Sequence, residues 1–383
     1  MDGRDPVELA AELIRRPSIT PADAGCFDLL AELLEPAGFH VERHRFHTPH
    51  PVPVDNLYAR IGSGDPVLAF SGHVDVVPPG DESAWRHPPF AGVIEDGLLW
   101  GRGACDMKGA VAAFTAAALR FADAGGPRSG TLLLLLTADE EGPAENGTRA
   151  LVEHLRLRGE RIDMALVGEP TCEERLGDVL KIGRRGSLTG RLAVRGRMGH
   201  VAYPERADNA AHRIVRMLQR LIDEPLDSGS EHFAPSTLQI TTVDVGNPTT
   251  NVVPDRATAV FNVRFNDRHT PDSLEELLRS RIAPVGGDWT LEVSVSARPF
   301  LTPPGPFVDL VRAAVRARTG IEPRLSTSGG TSDARFLAPL CPVVEFGLVG
   351  ETIHQVDERV AVADIRALCE VYADILNRVF GGA

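Results

Sequence analysis

Apolar residues in the first half of the chain form short runs that alternate with longer patterns of helical spacing. The short runs cover residues 67–70, 131–137 and 164–167, and residues 110–121 have the helical pattern. Strands that alternate with helices are typical of a parallel-rich sheet covered by helices. We therefore predict an α/β domain at the start of the chain.

Near Gly186 the pattern changes to alternation of apolar and polar residues, which predicts antiparallel strands with one wet face. These segments are 188–194, 237–245, 257–265 and 291–295, with one amphipathic helix at 209–222. A helix at 307–318, a buried strand at 343–346 and a helix at 362–379 then return to the first pattern. We predict one α/β domain in two parts, 1–185 and 298–383, with an α+β domain inserted at 186–297.

Composition narrows the range of partners. The chain has 53 acidic and 40 basic residues, a formal charge of -13, which argues against binding to nucleic acid or anionic membranes. Its five cysteines are scattered without CxxC spacing, so we expect neither a disulfide framework nor a thiolate zinc site. Since no apolar run approaches the roughly 20 residues of a membrane span, we expect a cytoplasmic protein.

Acidic and histidine side chains follow the strand-like runs or stand in a glycine-rich turn that opens a helix. They are His73 and Asp75, Asp106, Glu140 and Glu141, Glu169, and His354. The carboxyl ends of strands form the ligand crevice of an open α/β sheet, so these side chains are expected to converge. Two imidazoles and three carboxylates with one carboxylate shared suit a pair of zinc ions. Taken singly, each piece is more typical of a hydrogen-bonded pair, a solvated face or a simple turn.

Two further features of the sequence are expected to support this site. Asp75 stands two residues after His73, where its carboxylate can fix the tautomer of the imidazole. Glu140 and Glu141 are adjacent and must point in different directions. One of them can therefore bind metal while the other remains free as a base.

Motifs that follow one another in order over essentially the whole chain resemble those of peptidase family M20, a family of dizinc amidohydrolases. They are Gly72-His-Val-Asp-Val-Val-Pro-Pro-Gly80, Gly101-Arg-Gly-Ala-Cys-Asp-Met-Lys-Gly109, Asp139-Glu-Glu-Gly142, Val167-Gly-Glu-Pro170, Lys181-Ile-Gly-Arg-Arg-Gly-Ser187, Gly199-His-Val-Ala-Tyr-Pro204, Gly329-Gly-Thr-Ser-Asp333 and Thr352-Ile-His354. The resemblance implies a zinc-dependent exopeptidase-like catalytic domain with a mixed sheet and helices on both faces, plus an inserted α+β lid that forms a homodimer.

The resemblance also implies roles for single residues. His73 and Glu169 would hold one Zn²⁺, Glu141 and His354 the other, and Asp106 would bridge them, with Co²⁺ as a possible substitute. The catalytic residues would be Asp75, Glu140 as the general base, and His200, which is expected to reach the active site of the other subunit. The residues expected to bind the substrate are Lys181, Arg184, Ser187, Tyr203, Asn251, Arg264, Gly330 and Thr331.

Within the family, the motifs are most similar to those of enzymes that hydrolyse N-succinyl-LL-2,6-diaminopimelate to succinate and LL-2,6-diaminopimelate. The chain departs from that pattern at Thr250 and Gly350, where asparagines are usual. One alternative is therefore another amino-acid deacylase of the family, such as an acetylornithine deacetylase. An alternative from another class is a non-catalytic binder of acidic amino-acid derivatives, which would have no need for a free base such as Glu140.

Overall fold

A computed structural model describes residues 2–381 of the chain. Within these residues, the helices are α1 (Pro6–Ile14), α2 (Cys26–Leu34), α3 (Lys108–Asp123), α4 (Thr148–Leu157), α5 (Ala210–Ile222), α6 (Pro271–Ile282), α7 (Pro306–Thr319), α8 (Ala334–Leu337) and α9 (Val362–Phe380). The strands are β1 (His40–Phe46), β2 (Val54–Ser63), β3 (Val67–His73), β4 (Val93–Glu95), β5 (Leu98–Trp100), β6 (Gly130–Thr137), β7 (Met164–Val167), β8 (Val179–Lys181), β9 (Gly183–Arg184), β10 (Gly186–Arg195), β11 (Gly199–His200), β12 (Thr237–Asp244), β13 (Val252–Val253), β14 (Arg256–Phe265), β15 (Asp288–Ala297), β16 (Phe300–Leu301), β17 (Arg324–Ser326), β18 (Val343–Glu345) and β19 (Arg359–Ala361).

The chain folds into two compact units. The first unit runs from the start of the described chain to Ile182 and also contains Thr302–Ser326 and the chain from Ser332 onward. The second unit comprises Gly183–Leu301 and Thr327–Thr331. The short segment Thr327–Thr331 thus groups with the second unit, whereas the sequence analysis counted it with the second part of the catalytic domain.

The first unit is built on a mixed sheet of eight strands in the order β1-β2-β6-β3-β7-β18-β8-β17. Strands β6, β3, β7 and β18 are parallel neighbours, while β1, β2 and β6 pair antiparallel. Every residue of β3 and β6 is buried, so both faces of the sheet are covered at its centre. The predicted α/β class with a mixed sheet is confirmed.

Aromatic packing attaches the central strand β3 to two helices of the first unit. The rings of Phe70 on β3 and Phe114 on α3 stack with centroids 3.9 Å apart. Tyr372 on α9 meets both rings edge-on, at 5.8 and 5.3 Å, and its hydroxyl donates to the carbonyl of Phe346 at 2.6 Å. Aromatic pairs at these separations stabilise a core beyond their buried area, which gives β3 a rigid support.

The second unit contains an antiparallel sheet in the order β12-β14-β10-β15. Along β14 the residues alternate between buried and more exposed positions, as the sequence pattern predicts for a sheet with one wet face. Helices α5 and α6 contribute Ile214 and Leu278 to its core. The side chain of Asn209 begins α5 by accepting from the backbone N–H of His212 at 3.1 Å.

Two further features bear on the sequence expectations. The five cysteines are all buried and have free thiols. In the described part of the chain, none of the helices has the length and apolar composition that a crossing of the bilayer needs.

Candidate metal centre

Four parallel strands of the first unit bring most of the predicted ligands to one edge of the sheet. His73 is the last residue of β3, Glu140 and Glu141 follow β6, and Glu169 follows β7. The loop after β18 carries His354. Because β6, β3, β7 and β18 are adjacent and parallel, their carboxyl ends meet at the same edge.

Asp106 lies between the two histidines of this edge, in the turn that precedes α3. Its Oδ1 is 3.2 Å from Nε2 of His73, and its Oδ2 is 3.3 Å from Nε2 of His354. A carboxylate that turns one oxygen to each of two imidazoles has the arrangement of a bridging ligand. Gly103, in the same turn, has a φ of +86°, a conformation that favours glycine.

The remaining carboxylates complete one donor group at each histidine. Nε2 of His354 is 2.8 Å from Oε1 of Glu141, and Nε2 of His73 is 4.0 Å from Oε1 of Glu169. Imidazole nitrogen and carboxylate oxygen are donors that zinc accepts. The donor set therefore fits two divalent ions that share Asp106.

Glu140 also lies within reach of this centre. Ligand atoms of His73, Glu140 and Glu169 all lie within 4.8 Å of one another, as do those of His73, Asp106 and Glu141. The geometry is therefore compatible with Glu140 as a base beside the ions and also with Glu140 as a ligand. The metal content of a Glu140 variant separates the two roles.

The pKa values of both histidines and of Glu140 are raised at this centre. Hydrogen bonds to Asp106 and Glu141 raise the pKa of His354 to about 10. Burial lowers the pKa of His73, but its bond to Asp106 and the surrounding carboxylates outweigh burial and raise it well above its usual value. Burial, followed by the charges of Glu169 and Asp333, raises the pKa of Glu140. The carboxylates thus hold positive charge on the imidazoles, and a metal ion must displace those protons to bind.

Asp75 contacts His73 through its backbone and the two glutamates through its carboxylate. Nδ1 of His73 is bonded to the backbone oxygen of Asp75 at 2.9 Å, while the carboxylate oxygen Oδ1 is 3.7 Å away. That carboxylate instead accepts from the backbone N–H groups of Glu140 at 3.2 Å and Glu141 at 3.0 Å. Strand β3 ends at His73, so the rule that alternate residues share a face no longer applies at position 75. Burial raises the pKa of Asp75 to about 6.

The residues predicted to bind substrate are divided between the two units. In the first unit, Lys181 ends β8, and its Nζ lies 3.4 Å from Oγ of Ser326. In the second unit, Arg184 donates to the carbonyl of Gly330 at 3.3 Å. The second unit also contains Ser187 and Arg264, which face each other across β10 and β14, and the half-buried Thr331.

A second group of predicted residues lies elsewhere in the second unit. His200 is exposed, and its Nδ1 accepts from the backbone N–H of Ala202 at 3.1 Å. In the neutral ring this leaves the proton on Nε2, which can donate to a substrate oxygen. The ring of Tyr203 lies 5.7 Å away, and the exposed Asn251 accepts at its backbone oxygen from Val201 at 3.1 Å.

Sequence reasoning did not single out Arg102 or Glu358. Glu358 is fully buried and accepts hydrogen bonds from the backbone of Cys105 and Asp106. Neither spacing nor hydropathy distinguishes this glutamate from the exposed ones, because its burial depends on contacts between distant segments of the chain.

Comparison with known proteins agrees with the fold. The sequence model of peptidase family M20/M25/M40 matches residues 69–378. A protein of Rhodospirillum centenum named succinyl-diaminopimelate desuccinylase is 55% identical over 379 residues, which cover 99% of this chain and 98% of that protein.

Solved structures show the same fold at low identity. Aminopeptidase PepT from Bacillus cereus superposes with a TM-score of 0.79 at 20% identity and covers 98% of each chain. The YxeP protein of Bacillus subtilis, described as a dinuclear metal-binding peptidase of the M20 family, gives a TM-score of 0.71 at 16% identity, covering 100% of this chain and 99% of that chain. With the family match over residues 69–378 and a relative that is 55% identical over nearly its whole length, the chain belongs to peptidase family M20/M25/M40.

Proposed function

We propose that this protein is a metal-dependent amidohydrolase that cleaves N-succinyl-LL-2,6-diaminopimelate into succinate and LL-2,6-diaminopimelate. The observation that carries the proposal is the identity of 55%, over nearly the full length of both chains, to a protein named succinyl-diaminopimelate desuccinylase. The shared Asp106 between two histidines supports it, because amide hydrolysis at a two-metal centre needs such a ligand set. The expected products belong to lysine and diaminopimelate biosynthesis, and we propose a cytoplasmic location.

The metal ions in this proposal are two Zn²⁺, with Co²⁺ as a possible substitute. His73 and Glu169 would hold one ion, Glu141 and His354 the other, and Asp106 both. When bound, a pair of divalent ions supplies Lewis acidity, which polarises the amide carbonyl and makes water acidic enough to lose a proton near neutral pH.

The protein's own part in the reaction is to move a proton and to bind the substrate. Glu140 would take a proton from the attacking water and return it to the departing amine, so that the carbon–nitrogen bond can break. Burial and the charges of Glu169 and Asp333 raise the pKa of Glu140, which brings this carboxylate closer to the pH at which a general base is efficient. Asp75 would hold the base in place through the backbone N–H of Glu140.

The substrate has three carboxylates and would need cationic partners. Arg184 and Arg264 offer planar guanidinium groups that match a carboxylate, and Lys181 offers a point charge. Ser187, Tyr203, Asn251, Gly330 and Thr331 complete the proposed set of binding residues. Burial and the nearby charge of Arg185 lower the pKa of Arg264, which is the expected effect of two cations placed close together to receive an anion.

Substrate preference tests this assignment. We expect kcat/KM for succinyl-diaminopimelate to exceed that for acetylornithine by at least about 10²-fold, because acetylornithine would leave arginines unpaired and carries a cationic side chain. Release of free amine from purified, zinc-loaded protein measures both reactions. A preference for acetylornithine would assign acetylornithine as the substrate instead. If neither compound is hydrolysed, a non-catalytic binding protein is favoured.

The same assay can test Arg264 directly. A charge-assisted hydrogen bond is worth roughly 1.5–3 kcal/mol, so Arg264→Gln is expected to raise KM about 10- to 100-fold. Arg256→Gln is the matched control, because Arg256 is an exposed residue at the other end of the same strand β14. Equal KM values in the two variants would show that Arg264 does not bind the substrate.

We also propose a homodimer in which His200 of the partner subunit completes the active site. The exposed ring of His200 and its available Nε2–H support a role as a donor to the oxyanion that forms during hydrolysis.

Subunit mixing tests the proposed dimer. His200→Ala and Glu140→Gln proteins are each expected to have little activity, and their heterodimers should regain part of it, because one of the two sites then has both residues intact. Subunit exchange is verified by native mass spectrometry. If heterodimers form without any recovery of activity, His200 does not act across the subunit boundary.

A further inference from the structure

Arg102 and Glu358 form a buried ion pair near the candidate metal centre. Nη1 of Arg102 lies 2.7 Å from Oε2 of Glu358, and the side chains are only 3% and 0% exposed. Replacing a buried ion pair by apolar residues is often neutral or stabilising, so stability alone is a weak reason for this pair. Its other hydrogen bonds indicate what else it does.

Glu358 binds the backbone of the turn that carries Asp106. Its Oε2 accepts from the N–H of Gly103 at 3.0 Å, and its Oε1 accepts from the N–H groups of Cys105 at 3.0 Å and Asp106 at 3.3 Å. The Cys105 thiol donates to the same Oε1 at 3.3 Å. Every one of these partners is a donor, which is the arrangement that an ionised carboxylate requires. Burial raises the pKa of Glu358, and the bonds from Gly103 and Arg102 oppose that increase.

Arg102 binds the backbone of the loop that carries His354. Its Nη2 donates to the carbonyl of His354 at 3.3 Å, and its Nη1 donates to that of Gln355 at 3.2 Å. His354 has a φ of +60°, a conformation that costs energy in a residue other than glycine and persists only where the surroundings impose it. The guanidinium lies 5.1 Å from the ring of Trp85, which limits its movement.

The pair therefore connects two segments whose side chains face each other across the proposed ion. We propose that Arg102 and Glu358 are positioning residues that fix Asp106 relative to His354 and thereby set the affinity for the ion held by Asp106, Glu141 and His354. This inference rests on the two-metal centre of the proposed function. It predicts a larger effect on this ion than on the other, because the pair bonds to the segments of both Asp106 and His354, whereas the ion at His73 shares only Asp106 with it.

Glu358→Gln is the sharpest variant for a test. Glutamine has nearly the same shape but presents one NH₂ group, and both carboxylate oxygens of Glu358 face N–H donors. In either orientation of the amide, its NH₂ group would therefore face N–H donors and could not accept a hydrogen bond from them. We expect the affinity for one ion to fall about 10- to 100-fold, the usual effect of losing a partner that orients a metal ligand.

Metal titration in two backgrounds identifies which ion is affected. In Glu169→Ala protein, the remaining ion should be the one at His354, and adding Glu358→Gln should weaken it when Zn²⁺ binding is measured against a chromophoric chelator. In His354→Ala protein, the remaining ion should be the one at His73, and adding Glu358→Gln should lower its affinity by a smaller factor, because only its ligand Asp106 is positioned by Glu358. The visible spectrum of Co²⁺-loaded protein should change more in the first background than in the second.

Further variants separate positioning from folding. Glu370→Gln makes the same chemical change at an exposed glutamate that pairs with Arg120, and it should alter neither affinity. If Glu358→Gln does not fold, Arg102→Lys keeps the charge but loses the fork that binds two carbonyls, and should show the same selective loss. Equal weakening of both ions, or no weakening at all, overturns the proposal. Failure of the unsubstituted protein to bind two ions would instead contradict the proposed function.

Discussion

Glu140→Gln is expected to lower kcat by about 10²- to 10⁴-fold, the usual contribution of a positioned acid or base, while substrate affinity stays near that of the unsubstituted protein. Glutamine keeps the size of the side chain but cannot carry the proton from water to the departing amine. The measurement is steady-state amine release at saturating zinc, together with metal analysis of the same preparation.

Metal content decides between the two roles that the geometry allows for Glu140. If Glu140 is the base, Glu140→Gln should retain two ions per subunit. If it is a ligand in the group with His73 and Glu169, the variant should lose metal along with activity. Glu153→Gln is the control, since Glu153 is an exposed residue of α4 that pairs only with Arg156 among the contacts described. Near-normal turnover in Glu140→Gln would require another base.

Asp106→Ala is expected to have the second large effect, because it removes a carboxylate that faces both histidines. The affinity for both ions should fall in this variant. Glu169→Ala and His354→Ala should each lower the affinity for mainly one ion. Lewis acidity contributes several kcal/mol, so loss of the ions should lower kcat/KM by at least about 10²-fold. Metal per subunit after dialysis against buffer of fixed free Zn²⁺ measures this difference.

The pattern of these three variants tests the ligand assignment as a whole. Asp81→Ala is a suitable control, because Asp81 is exposed and bonds within its own turn to Ser83. Two tightly bound ions in Asp106→Ala would contradict a bridging role. If Glu169→Ala or His354→Ala still binds two ions tightly, the substituted residue is not a metal ligand.

Much of the secondary structure could be predicted from the periodicity of apolar residues. The run at 164–167 is strand β7 to the residue, and the predicted helix at 209–222 is α5 with Asn209 as its cap. Helix α6 was not predicted, although Thr270 and Ser273 form a capping box at its start. Such local signals reflect the burial and hydrogen bonds of a single segment. They therefore identify most elements, and they place the ends of those elements within a few residues.

The candidate site could be predicted less completely. The expected ligands do converge at the carboxyl ends of parallel strands, since that edge is common to all open α/β sheets. Their roles, and that of His200, remain predictions. The carboxylate of Asp75 was expected to be able to fix the tautomer of His73, but the backbone oxygen of Asp75 is the group bonded to Nδ1.

The sequence by itself determined the family, the α/β fold with its inserted α+β segment, and the candidate metal ligands, because periodicity, residue type and motif order can be read directly along the chain. Only the tertiary structure decided which oxygen of Asp106 faces which histidine, what Asp75 holds, and that Glu358 is buried against the turn of Asp106. These are contacts between segments up to about 250 residues apart, as in the bond from Asp106 to Glu358. Their distances depend on how strands and loops pack, which spacing along the chain does not encode.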